Sequence, residues 1–382
     1  AGFMRILTNS FTEALNGKLI NIHPSLLPDY PGLNTHKQAI ANGDLMHGIS
    51  IHYVSNELDG GPIITQGALK IDPAQSEAKL ISRIHKIEHA IYPKVIADIT
   101  KGYISLQGDQ VKFEADQFVT IVKAEKSSQT AKPGQFAFVE CGGDTLLRRP
   151  LSYLRSSKED GTVEFMYKTV GHGLESLSQL KKGDEIKIMG PIGNGFAIPS
   201  GKKSAILIGG GVGIPPVLFM GEEIKKINGG IDLVAFFGSE IPFPFETCDS
   251  DLVMPGLDLS VNKTIDDMEK LGIPCRLSSQ AGYEGCHLGY VTELAKSFIE
   301  TLSDGEKTET IIYACGPESM LKAVAKLAKD DQLDCVLSLE EYMACAIGGC
   351  AGCTVRVLED GHERMKRVCV DGPVFDAEQL YF

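Results

Sequence analysis

The chain has 382 residues, 43% hydrophobic and 23% charged, a globular composition in a length that exceeds one ordinary core, so about two to four domains are expected. Its formal net charge of −13 excludes the basic footprint of a nucleic-acid binder. The most apolar run, Ala205 to Met220, is broken by consecutive glycines and by Pro215-Pro216, which excludes it as a membrane helix; ten cysteines without a secretory leader fit a reducing cytoplasm.

Residues 1–112 read as a partial α/β unit. Lys18 to Asn21 predicts a short buried strand, Ile49 to Val54 an alternating one, and Glu77 to Thr100 a long helix. Asn21 and His23 stand two apart at a strand end, and Asp59 opens the turn Asp59-Gly60-Gly61-Pro62. Such residues can serve acyl transfer: the Asn21 amide would hold a developing oxyanion, His23 would shuttle the proton, and Asp59 would orient the imidazole. From chemistry alone, a His near a strand end is more often structural.

This segment resembles the C-terminal half of glycinamide ribonucleotide formyltransferase. The likeness rests on Phe3-Met4-Arg5-Ile6-Leu7, the block Asn21 to Pro28, Tyr30-Pro31-Gly32, Thr35-His36, Asn42-Gly43 and the turn at Asp59. It implies that Asn21, His23 and Asp59 form the catalytic trio, and that Met4, Arg5, Ile6 and Leu7 line a pocket for 10-formyltetrahydrofolate. The family's opening strands and its phosphate loop have no counterpart among these residues, so retained architecture without turnover is expected.

From residue 113 to 200 the pattern changes to short strands with Gly/Pro turns, which predicts a small antiparallel β-barrel. Strands are expected at Phe136 to Glu140, Val163 to Tyr167 and Glu185 to Met189, with the opening strand shortened between Asp116 and Pro133. Leu147 to Tyr153 and Val170 to Leu174 lie between them as loops, the second opening a helix from Leu174 to Leu180. The guanidinium of Arg149 offers a fork of donors for a pyrophosphate, and a helix start offers backbone N–H groups.

Residues 201–332 repeat strand, glycine loop and helix, the pattern of a doubly wound parallel sheet. Lys202 to Ile208 runs into Gly209-Gly210-Gly211-Val212-Gly213-Ile214-Pro215-Pro216 and a helix to about Ile227; Asp232 to Phe237 and Thr310 to Ala314 are further strands. The glycines, Gly211 and Gly213 among them, would admit a dinucleotide pyrophosphate, although the spacing is not G-x-G-x-x-G. Glu240 could take a ribose diol, and the lack of a nearby Arg or Lys favours NAD over NADP.

Residues 333–382 contain the most specific motif. Cys345, Cys350 and Cys353 are spaced C-x4-C-x2-C, and Cys369 follows, the plant-type ligand spacing of a [2Fe–2S] cluster. A zinc site would ordinarily add a second C-x2-C or a Cys/His pair.

The order of barrel, dinucleotide domain and cluster resembles the ferredoxin-reductase-like flavoproteins. Residues 117 to 382 are similar, more narrowly, to the iron–sulfur electron-transfer subunits of NAD-linked dihydroorotate dehydrogenases, on Arg149-Pro-Leu-Ser, Gly190 to Phe196, Gly209 to Pro216, Cys315-Gly-Pro-Glu, Glu340 to Cys345 and Val368 to Phe375. The resemblance implies FAD contacts at Arg149, Pro150, Leu151 and Ser152, at Met166, Tyr167 and Lys168, and at Gly173 and Leu174. Leu174 stands where the family has Thr or Ser, so this chain offers the flavin phosphate one hydroxyl fewer. The resemblance also implies cluster ligation by Cys345, Cys350, Cys353 and Cys369. In that family a separate FMN-containing catalytic subunit oxidises dihydroorotate, and electrons pass singly through the cluster to FAD and then to NAD; a heterotetramer in the cytoplasm, with no membrane or nucleic-acid partner, is expected. The rival readings are a subunit of an NAD(P)H:ferredoxin or sulfide-type oxidoreductase, a formyltransferase with an appended redox module, and a non-enzymatic scaffold.

Overall fold

The computed structural model describes all residues except 1–6, 73–74, 101, 109, 114–116, 143–146 and 228–229. The chain divides into two compact units: Ala1–Ala115 with Glu240–Pro242 and Ser279–Gly289, and Asp116–Ser239 with Phe243–Ser278 and Tyr290–Phe382.

In the first unit an antiparallel sheet runs Ile20–His23, Met46–Tyr53, Ile63–Lys70 in that spatial order. The helix Glu77–Thr100 covers it. Leu80, Ile84, Ile91 and Val95 recur at helical spacing, and all are buried with Ile49, Ile51, Tyr53 and Ile64. Gly67 lets the helix approach, since a Cβ there would lie 2.4 Å from Ile87 Cγ2. Pro93 sits inside the helix; the carbonyl it leaves without an N–H partner belongs to exposed His89, where water can serve it. The first strand starts two residues later than Lys18, and Ile63–Lys70 is a strand the sequence pattern does not reveal.

The second unit holds two large sheets besides two-stranded ones. The antiparallel one has five strands, in the order Ile188–Ile192, Phe136–Val139, Arg149–Ser157, Thr162–Lys168, Gln117–Lys123. Four differences from the sequence reading emerge here, the first being that the strand expected at Glu185 to Met189 is Ile188–Ile192. Arg149–Ser157 is a nine-residue strand, not a loop. The opening strand is a full seven residues. The helix after Gly171 is His172–Ser178, starting before Leu174; Gly171 enters it at φ 75°, a backbone conformation that favours glycine.

The other sheet has a parallel core, Cys275–Ser279, Asp232–Gly238, Ser204–Gly210, Thr310–Cys315 and Asp334–Ser338, with Val374–Asp376 antiparallel at the edge. Helices Ile214–Ile227, Val291–Ile299 and Glu318–Asp330 pack on it through Leu218, Leu294, Phe298, Leu321 and Val324, all buried. Because Val374–Asp376 returns beside Asp334–Ser338, everything from Leu339 to Pro373 is an excursion between two adjacent strands. The Leu339 N–H donates to the Pro373 carbonyl at 2.9 Å and closes its neck.

Arg155 joins the two sheets. From the strand Arg149–Ser157 its Nε donates to Glu222 Oε1 at 2.6 Å and its Nη2 to Asp267 Oδ2 at 2.5 Å, with Glu164 Oε2 3.6 Å from Nη1. Glu222 lies on the helix that follows the glycine loop, and its side chain is 11% exposed. Burial raises the Glu222 carboxyl above its ordinary value, and Arg155 opposes that rise.

Replacing Arg155 by Ala leaves Glu222 buried without its cation, and a loss of about 3 kcal/mol is expected. With Arg155 gone the Glu222 carboxyl rises further. A raised folded-state value means stability is lost as pH increases, so the deficit is larger at pH 8 than at pH 5. Urea midpoints of both proteins by circular dichroism at the two pH values check this; a deficit that shrinks with pH contradicts it.

Candidate functional site

The excursion between Ser338 and Val374 carries the four cysteines. Ala346 and Ala351 have φ of 55° and 54°, and Gly348 has φ 79°, so three left-handed residues curl the loop and turn its amides inward. The Cys350 N–H points at Cys345 Sγ and the Gly352 N–H at Cys350 Sγ, each 3.4 Å away. Amides of Ile347 and Cys350 push the Cys345 thiol down to about 6, which favours the thiolate form that binds metal. Cys369, from the turn after the hairpin Thr354–Glu359/His362–Arg367, is buried beside Cys353. Burial, with Cys353 as its neighbour, pushes that thiol up to about 11. The sulfurs thus associate in two couples, Cys345 with Cys350 and Cys353 with Cys369. Among the described residues no three His, Cys, Asp or Glu side chains gather around a single ion position. Two couples of soft thiolates fit an iron–sulfur cluster.

Behind the loop lies a shared core. Phe136 and Phe138 pack with Ala346, Cys353, Val357, Val368, Cys369 and Phe375. The alternate residues of that strand, Ala137 and Val139, pack with Tyr153, Val163, Phe165 and Tyr167. One strand therefore carries both the cysteine segment and the antiparallel sheet.

In that sheet Tyr153 pairs with Phe165 in antiparallel register, so Arg149 to Ser152 run beside the end that holds Met166, Tyr167 and Lys168. Leu151, Met166 and Tyr167 are buried, and Arg149, Ser152 and Lys168 are half-buried. Arg149 Nη1 donates to the Leu147 carbonyl at 2.8 Å, which curls the guanidinium back over its own turn. Gly173 is buried and Leu174 half-buried in the helix His172–Ser178.

At the glycine loop, packing accounts for more than the sequence pattern implies. A Cβ at Gly213 would lie 2.4 Å from the Cys315 carbonyl carbon, and one at Gly210 would lie 2.5 Å from Met320 Sδ. Those glycines let two strand ends and a helix meet. Gly211 differs: its φ is 54°, and nothing lies within 4 Å of a Cβ built there. Glu240 is exposed, two residues past the strand Asp232–Gly238.

The first unit assembles a separate polar cluster. His23 Nδ1 is 3.3 Å from Asp59 Oδ2, and His23 Nε2 is 2.8 Å from the Tyr30 carbonyl. Asn21 Nδ2 donates to Asp59 Oδ1 at 3.3 Å, and the Gly32 N–H donates to Asp59 Oδ2 at 2.9 Å. Asp59 itself has φ 54°. The structure adds a member that sequence reasoning missed, His52, whose Nε2 is 3.2 Å from Asn21 Nδ2 and 3.8 Å from Asp59 Oδ1. It faces Asn21 directly across the sheet; pairing the two predicted strands would have found it. Burial lowers the His52 imidazole, partly offset by the Tyr53 carbonyl and by Asp59. Met4, Arg5 and Ile6 lie outside the described residues, and Leu7 is half-buried.

Comparison with known proteins matches separate stretches of the chain. Residues 340–381 match the family described as the iron-sulfur cluster binding domain of dihydroorotate dehydrogenase B, and residues 1–96 match the formyl transferase family. The electron transfer subunit of dihydroorotate dehydrogenase B (NAD(+)) from Caldanaerobacter subterraneus subsp. tengcongensis is 37% identical over 250 residues, 65% of this chain and 87% of that protein. A solved NADH-dependent reduced ferredoxin-NADP oxidoreductase aligns over 70% of this chain and 85% of its own, with TM-score 0.56 and 25% identity. The phosphoribosylglycinamide formyltransferase of Coxiella burnetii is 46% identical over 30% of this chain, with TM-score 0.29, and the match spans 54% of that structure.

Because the Asp59 charge holds the His52 imidazole up against burial, Asp59→Asn lowers it further. Imidazole resonances followed by NMR as a function of pH should show His52 titrating below about 6.5 in the parent and lower still in the variant. An unmoved titration rules out the coupling.

Proposed function

We propose the role of this chain from one premise: it belongs to the family of electron transfer subunits of the NAD(+)-linked dihydroorotate dehydrogenase B. It is an oxidoreductase subunit of pyrimidine synthesis that carries an iron–sulfur-binding domain, and a formyltransferase domain precedes the redox part. Its partner is the catalytic subunit that oxidises dihydroorotate at FMN, in an assembly we read as a heterotetramer. The compartment is read as the cytoplasm, which keeps ten free thiols reduced.

The observation that supports the finer reading is the pairing of Cys345 with Cys350 and of Cys353 with Cys369, with loop amides aimed at sulfur. These four residues would hold a [2Fe–2S] cluster, each couple offering two thiolates. When bound, the cluster supplies one-electron transfer, and a flavin exchanges electrons singly or in pairs. The chain's own part is to hold and shield. Amides of the loop stabilise the charge on sulfur, and Phe136, Phe138 and Phe375 keep water from the buried face of Cys353 and Cys369. The five-stranded sheet is read as the FAD-binding barrel. Arg149 would hold the flavin pyrophosphate, Pro150, Leu151, Ser152, Met166, Tyr167 and Lys168 the isoalloxazine and ribityl chain, and Gly173 and Leu174 the phosphate end. Gly211, with free space around it, and Gly213 are read as the NAD loop, and Glu240 as the ribose contact. The domains are taken as 1–112, 113–200, 201–332 and 333–382.

For the formyltransferase part we propose retained architecture rather than turnover. Asn21, His23 and Asp59 form the trio that formyl transfer from 10-formyltetrahydrofolate would need, with Met4, Arg5, Ile6 and Leu7 read as the folate pocket. The matched structure of that family is covered over only about half its length.

Two measurements test the redox reading. The chain purified anaerobically should contain iron and flavin, and should support dihydroorotate-dependent NADH formation when mixed with a dihydroorotate dehydrogenase catalytic subunit. Cys350→Ala should abolish the visible cluster absorption while flavin remains, and NADH formation should fall at least about 100-fold. A variant that keeps its cluster spectrum overturns the ligand assignment; NADH formation with ferredoxin alone as donor would move the partner to the ferredoxin-linked reading.

A further inference from the structure

Arg367 is the last residue of the strand His362–Arg367, two positions before Cys369. Its contacts reach both pieces of chain that carry the cysteines. The guanidinium Nη1 donates to the Gly348 carbonyl, at the crest of the cysteine loop, at 3.1 Å. Nε donates to Asp371 Oδ2 at 3.2 Å, and the Arg367 backbone N–H donates to the same oxygen at 2.7 Å. The Arg367 carbonyl in turn accepts the N–H groups of Val370 and Asp371 at 3.1 and 2.8 Å. The turn that presents Cys369 is therefore wound on Arg367, while the side chain of the same residue is tied to the loop that presents the other three cysteines. A Cβ at Gly348 would lie 3.2 Å from Arg367 Nη1, so the guanidinium rests directly on the loop backbone.

Charge adds a second role. The guanidinium lies within electrostatic reach of the Cys353 and Cys369 sulfurs. An iron–sulfur core on four thiolates is anionic, and reduction adds one more negative charge. A fixed cation beside it favours the reduced form, and a neighbouring carboxylate opposes that effect. The planar fork can serve Gly348 and Asp371 at once through different nitrogens, which a lysine ammonium cannot do with equal geometry.

We propose that Arg367 is a positioning residue that locks the cysteine loop to the Cys369 turn and raises the reduction potential of the cluster held there. This rests on the [2Fe–2S] reading above. The inference concerns equilibrium between oxidised and reduced states, so its readout is a potential and not turnover.

The test is a redox titration of the anaerobically purified chain, monitored by the electron paramagnetic resonance of the reduced cluster. Arg367→Gln should lower the reduced-to-oxidised ratio at fixed potential about tenfold, a downward shift of about 59 mV for a one-electron couple. Arg367→Lys, which keeps the charge but not the fork, should shift it by less than half as much. Should Arg367→Gln fail to hold its cluster, Asp371→Asn supplies the opposite arm: removing the carboxylate should raise the potential. An intact cluster with an unmoved potential in Arg367→Gln, or no upward shift in Asp371→Asn, overturns the proposal. A parent protein with neither iron nor a resonance signal overturns the cluster reading itself, and this inference with it.

Discussion

Two stretches of chain that carry cysteines must be held side by side if one inorganic core is to join them, and the fold closes a neck beneath them. Asp334–Ser338 and Val374–Asp376 pair antiparallel at the edge of the parallel sheet. Between them the chain makes its whole excursion, loop, hairpin and turn. The pairing holds both ends, so the loop with Cys345, Cys350 and Cys353 and the turn with Cys369 cannot drift apart without breaking sheet hydrogen bonds. Within the excursion Val368 N–H donates to the Cys353 carbonyl at 2.9 Å, the last stitch between the two pieces. The dinucleotide-type sheet thus serves as the scaffold for the cysteine segment.

Electron transfer over a protein interior falls steeply with distance, so a second requirement is that the cysteine segment stay close to whatever the antiparallel sheet holds. The strand Phe136–Val139 meets it by being buried on both faces. Its Phe residues face the cysteines and its Ala137 and Val139 face the sheet core. A strand with both faces covered carries no polar alternation, and this one has none. Arg155 performs the matching task on the other side, joining the antiparallel sheet to the helix that follows the glycine loop. Arg155 has apolar company there: Phe219 of the same helix packs into the core of the antiparallel sheet.

Much of this is legible in the residues, and the exceptions have physical causes. The helix Glu77–Thr100 stands out because its buried residues recur at the helical period over 24 positions. The cysteine spacing needs no fold at all. By contrast, Cys275–Ser279 is buried throughout while containing Arg276, Ser278 and Ser279; its arginine finds a partner that only tertiary structure supplies, as Arg276 Nη2 donates to the Leu252 carbonyl at 2.5 Å. Composition cannot mark such a strand. Arg149–Ser157 reads as a loop because an arginine and a proline open it, although a proline at the first positions of a strand is tolerated. At the glycine loop the pattern points further toward ligand binding than packing warrants: Gly210 and Gly213 are required by contacts with Met320 and with the Cys315–Gly316 peptide. His52 escapes a linear reading because its significance lies across the sheet from Asn21, in register and not in sequence.

In the polar cluster of the first unit each member satisfies another. Both oxygens of Asp59 are engaged, one by Asn21 and the other by the Gly32 N–H and His23. His23 is 4% exposed, and each of its ring nitrogens faces a polar partner, Asp59 or the Tyr30 carbonyl. Such a set satisfies itself. Removing any one member leaves a buried donor or acceptor unpaired, at a cost of about 1–3 kcal/mol, whether or not a substrate ever arrives. Folding stability alone is thus sufficient to retain Asn21, His23 and Asp59 in mutual contact. Any chemistry the three serve is laid on a frame that their own contacts already hold.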